Sequence, residues 1–170
     1  MNVLIYGSPD ASPDLFHEIP TGIIDPFLYL EANGKRGATV TVLDQHKVSP
    51  YGIEILDPYD LGADELFSRG ISRYEVDLEL ARRACEEMGV GKALIPPEFP
   101  VGLADHLRAS GIELFVDPEV FVTKRRVKTQ AEIEGIRRAQ RAADEAMAIG
   151  ARMIRDGGTT SEAVREAMQA

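Results

Sequence analysis

Over its first 123 residues the chain alternates short apolar runs with stretches of helical period, and this alternation restricts it to the α/β class more than any other feature does. Val3 to Tyr6 is a brief apolar run closed by Gly7, Ser8 and Pro9, the pattern of a buried strand. Phe27 to Glu31 and Ala38 to Leu43 read as strands flanking Asn33 and Gly34, with a connection from Ala32 to Gly37 that suggests a bulged or wide hairpin. Ile53 to Leu56 is a further strand, ended by Asp57 and Pro58. Ser72 and Glu75 stand as a capping box ahead of a helix from about Arg73 to Met88, whose Tyr74, Leu78, Ala81, Cys85 and Met88 share one face before Gly89 stops it. Lys92 to Ile95 then reads as a strand, Pro100 to about Ala109 as a helix, and Ile112 to Val116 as the last strand, so a mixed sheet flanked by helices is expected.

Near residue 123 the composition changes. Residues 1 to 123 carry 9 basic and 21 acidic side chains, whereas residues 124 to 170 carry 10 basic and 7 acidic ones. Lys124, Arg125, Arg126 and Lys128 form a basic linker, 124 to 129, after which Thr129 and Glu132 make a second capping box. The helix that follows is long, with Ile133, Ile136, Ala139, Ala143, Met147, Gly150 and Ile154 along one stripe. Gly157 and Gly158 end it, and Thr159 with Glu162 suggests a third capping box that opens a last helix. That helix sets Val164 and Met168 on one side and reaches Ala170 without a glycine, asparagine or proline to stop it, so the chain is expected to be interrupted there.

Several functions are disfavoured by composition. A net charge of -9 opposes a nucleic-acid partner, since that affinity depends on clustered cations. No apolar run has the length of a membrane span, and no basic residue precedes the apolar start as in a signal peptide. Cys85 is the only cysteine, which rules out an internal disulfide and fits a cytoplasmic setting. A small core residue is the simplest role for it.

No catalytic constellation emerges from spacing. His17, His46 and His106 lie far apart, and Thr21 occupies the place where His17 and Glu18 would need a second histidine to make a zinc motif. Gly89, Val90, Gly91 and Lys92 follow a helix and precede a strand, the wrong order for a phosphate loop. Gly157 to Thr160 do precede a helix, but an ordinary capped turn accounts for them. No serine sits in a nucleophile elbow.

Arg126-Val-Lys128-Thr129-Gln-Ala-Glu132-Ile133-Glu-Gly-Ile136-Arg137-Arg-Ala139 resembles the segment joining the two domains of creatinase and Xaa-Pro aminopeptidase (prolidase, M24 metallopeptidase) family members. Ala143 to Ile154 and Gly157 to Glu162 resemble the first catalytic-domain helix and the turn after it. Near the start, Ser12-Pro-Asp14-Leu-Phe16, then Thr21-Gly22 and Pro26 to Leu30, are similar to a family segment in which a strand passes an aromatic and a Thr-Gly pair into a hairpin; His17 to Pro20 depart from its usual aromatics.

The resemblance implies a creatinase-type N-terminal domain over 1 to 123 and the start of a truncated pita-bread catalytic domain over 130 to 170. It implies that two divalent metal ions, manganese, cobalt or zinc, are held by residues beyond this chain, so no residue here inherits a metal or catalytic role. The parent would hydrolyse a bond next to proline in a peptide, or a small amide or amidine as creatinase-like relatives do, and would form a homo-oligomer. A non-catalytic binding module is the remaining possibility. The substrate-contact candidates carried by the resemblance are Asp14, His17, Thr21 and Gly22.

Overall fold

A computed structural model of the chain describes residues 2–157 and 159–169. The chain divides into two compact units, Met1–Arg126 and Val127–Ala170.

The first unit runs β1 (Val3–Gly7), α1 (Pro13–Glu18), β2 (Phe27–Ala32), β3 (Lys35–Ala38), α2 (Gln45–Val48), a 3-10 turn (Ser49–Tyr51), β4 (Glu54–Ile55), α3 (Ala63–Ser68), α4 (Arg73–Glu87), β5 (Lys92–Ile95), α5 (Val101–Ala109), β6 (Glu113–Val116) and α6 (Pro118–Arg126). The strands form one mixed sheet in the order β4-β3-β2-β1-β5-β6. The β1–β2 and β2–β3 pairs are antiparallel, and the other three are parallel. Alternation along the strands divides the core between two faces. Leu4, Leu28, Leu30, Ala93, Ile95 and Leu114 pack under α3, α4 and α5. Val3, Ile5, Phe27, Tyr29 and Ala38 pack on the other face against Leu15 and Ile19 of α1 and Phe121 of α6.

The α/β expectation holds, with local differences. The hairpin is tight: Asn33 at φ 55° and Gly34 at φ 78° are its two turn residues, and Ala32 pairs with Lys35. Both φ values are those of a type I′ turn, whose twist matches the strands. Asn33 also donates through Nδ2 to the Met88 carbonyl at 3.1 Å, tying the hairpin tip to the end of α4. The third strand is therefore Lys35–Ala38 rather than Ala38 to Leu43. Gly37 is required there by space, since a Cβ would lie 2.9 Å from Leu30 Cδ1 and 3.1 Å from Leu56 Cδ1.

The capping box of α4 forms as expected, but its buried residues are Val76, Leu80, Ala81, Ala84 and Cys85, and Tyr74 is exposed. The segment expected to enter the hairpin as a strand opens instead with α1. The residues expected to begin a basic linker, Lys124 to Arg126, form the last turn of α6. Burial pushes the Cys85 thiol up to about 12, so it stays protonated and inert within the core.

The second unit consists of α7 (Gln130–Asp156), opened by the Thr129–Glu132 capping box, and α8 (Ser161–Gln169). Gly150 lets the pair approach, because a Cβ there would sit 2.8 Å from Met168 Sδ. At the start of α8 it is Thr160, not Thr159, whose hydroxyl accepts from the Ala163 amide, at 3.2 Å. The stop expected at Gly158 and the end at Ala170 lie outside the described residues. Among the described residues no helix is long and apolar enough to cross a membrane.

Candidate functional site

Two helices that begin alike bring opposite charges together. Ser12 caps α1 by accepting from the Leu15 amide at 3.3 Å, with Pro13 in the first turn. Asp117 accepts from the Glu119 amide at 3.1 Å, with Pro118 opening α6. The first cap sets Asp14 and Glu18 one turn apart on α1, and α6 delivers Lys124 and Arg125 in its last turn. Arg125 Nε lies 2.7 Å from Asp14 Oδ1. Lys124 Nζ lies 2.7 Å from both Glu18 Oε1 and Glu31 Oε2. The Tyr29 hydroxyl donates to Glu18 Oε2 at 3.0 Å, and Arg36 approaches the same oxygen at 3.7 Å.

Electrostatics make this cluster a fastening rather than a reactive group. Burial raises the Asp14 pKa, outweighing the opposing pull of Arg125. Burial, followed by the charge of Glu18, drives the Tyr29 phenol far above its usual range, so it serves as a fixed donor. Burial alone would lower Lys124, yet its hydrogen bonds to Glu18 and Glu31 prevail and hold it above the ordinary lysine value.

A separate cleft of about 140 Å³ opens on the helical side of α3 and α4, where β1 and β2 meet. Tyr6, Asp25, Asp44, Phe67, Arg73 and Asp77 supply its chemistry. Arg73 Nε bonds to Asp77 Oδ1 at 2.9 Å, and its guanidinium lies 5.8 Å from the centre of the Phe67 ring. Burial, and then Asp77, raises the Tyr6 phenol. Carboxylates, a guanidinium and a phenol over an apolar floor can orient a polar group, and no histidine, cysteine or serine lines the cleft to act as nucleophile or base.

The four sequence candidates are not gathered in one pocket. Asp14 is buried against Arg125, and His17 lies on the same short helix. Thr21 and Gly22 occupy the loop just before Ile23 to Pro26, which border the cleft. The Gly22 carbonyl accepts from Lys47 Nζ at 3.1 Å. Sequence spacing did not single out Glu18, Glu31 or Tyr29. The Ser12-Pro13 and Asp117-Pro118 pairs were the available signals for α1 and α6. Among the described residues no three histidine, cysteine, aspartate or glutamate side chains converge to hold a metal ion, so the metal pair of the resembled family does not fit here.

No family model and no curated protein matches the sequence. Solved structures do. The prolidase from Pyrococcus horikoshii OT3 is 17% identical with a TM-score of 0.59, over 99% of this chain and 44% of its own. An Xaa-Pro dipeptidase from Bacillus anthracis is 15% identical with a TM-score of 0.65, over 98% of this chain and 42% of its own. The prolidase from Pyrococcus furiosus is 13% identical with a TM-score of 0.57, over 99% of this chain and 44% of its own. The chain thus spans less than half the length of these proteins, and at such identities the likeness establishes a shared fold: a mixed six-stranded sheet flanked by helices.

Proposed function

We propose that this chain supplies the N-terminal domain of a metal-dependent hydrolase acting on a bond next to proline, with α7 and α8 opening its pita-bread catalytic domain. The observation that carries this reading is the likeness to prolidases along 98% to 99% of the chain, both units included. The match of Arg126 to Ala139 to the family's joining segment supports it independently. Manganese, cobalt or zinc ions would be bound by a part of the parent outside these residues. This segment would border the substrate cleft and contribute to a homo-oligomer, and by itself would cleave nothing.

The test has two arms. Sequencing the transcript past codon 170 should reveal two aspartates, a histidine and two glutamates in metal-binding order. The protein it encodes should hydrolyse Xaa-Pro dipeptides when supplied with manganese, while the 170-residue chain should not. Turnover by the short chain, or a parent without the five ligands, would refute the proposal.

A further inference from the structure

The two faces of the sheet are covered unequally. On the face that carries Val3, Ile5, Phe27 and Tyr29, α1 and α6 seal the β1–β2 region. The β5–β6 corner of that face is open. Register pairs Lys92 with Glu113 and Leu94 with Phe115, which puts all four on this one face. Lys92 and Glu113 are exposed, Phe115 is 52% exposed, and Leu94 is half-buried. Beside them β6 is the free edge of the sheet.

We propose that this corner is a docking surface for a second copy of the same chain, through a two-fold axis running along the strands between β5 and β6. Such an axis exchanges the two strands while turning one sheet to face the other. It sets Lys92 opposite the partner's Glu113, Glu113 opposite the partner's Lys92, and Leu94 opposite the partner's Phe115. The patch is therefore complementary to itself in charge and in shape class. A partner of uniform charge would meet one like charge in every register. The inference concerns association alone and stands whatever bond the parent hydrolyses.

The patch is small beside a standard interface, so a weak dimer is expected, with a dissociation constant on the order of 100 µM. Sedimentation of the 170-residue chain across the micromolar to millimolar range measures it. Each charge reversal acts twice in a two-fold dimer. Lys92→Glu and Glu113→Lys should each raise the dissociation constant about tenfold. Mixing these two variants in equal amounts should restore the wild-type value, because every facing pair is then again opposite in sign. Phe115→Ser should abolish association while the far-ultraviolet circular dichroism stays unchanged, as expected for an exposed side chain. A wild-type chain that stays monomeric, reversals without effect, or a mixture that fails to recover would each overturn the proposal.

Discussion

Replacing Lys124 by methionine would keep most of the side chain's length and delete its charge. Glu18, whose side chain is only 9% exposed, would lose its nearest cation, and Glu31 would lose the same partner. An unpaired, largely buried carboxylate is expensive, so we expect a loss of about 2 kcal/mol in urea denaturation, reduced from a fully buried pair by the partial exposure of Lys124. Arg126, two residues on, is the control. Its pairing with Glu119 is at the surface, and Arg126→Met should change stability by less than about 0.5 kcal/mol. The sequence showed these cations as one run. It could not show that two of them are fastened to acids from α1 and β2, because pairing across such distances in the chain depends on the sheet being built.

At the level of elements, Glu79 links the helices of one layer. It receives hydrogen bonds from Arg82 and Arg83 and lies 3.6 Å from His106 of α5, while Arg83 also reaches Glu65 and the Leu61 carbonyl. Hydrogen bonding from Arg82, chiefly, holds the Glu79 carboxyl at about 2, against an ordinary value of 4.5. The unfolded chain therefore takes up this proton at higher pH than the folded one. The contribution of Glu79 is complete above pH 4.5 and drains away as pH falls toward 2. Glu79→Gln should cost about 1 kcal/mol at neutral pH, and the variant should lose less of its remaining stability than wild type on acidification through that window. Denaturant titrations at several pH values would measure both effects.

The helix starts offer a second comparison. Thr160→Ala should speed hydrogen exchange at the Ala163 amide several-fold through loss of the cap, and Thr159→Ala should leave it nearly unchanged. Capping chemistry made α4 and α7 legible, each with its serine or threonine and glutamate three residues apart. The same chemistry in another form, a polar cap followed by proline, opens α1 and α6, yet those helices are short and lack a long apolar period. β3 was misplaced for a different reason. Lys35, Arg36 and Gly37 have little intrinsic strand preference, and the tight turn and the crowding at Gly37 impose the strand on them. The cleft was illegible because Tyr6, Asp25, Asp44 and Arg73 reach it from separate elements.

For the whole molecule, the position of β1 inside the sheet governs how the first unit can assemble. Its contacts on one side are local, since β1, β2 and β3 form an antiparallel meander within residues 3 to 38. Those on the other side are remote, because Val3 must pair with Leu94. Closing that loop forfeits chain entropy before any contact rewards it, so the parallel half should form late. A nascent chain on the ribosome would meanwhile carry an incomplete sheet. Until Lys92 to Ile95 have emerged, the strand holding Val3, Leu4 and Ile5 is an apolar edge with unpaired amides, the kind of surface that chaperones shield and that aggregation exploits.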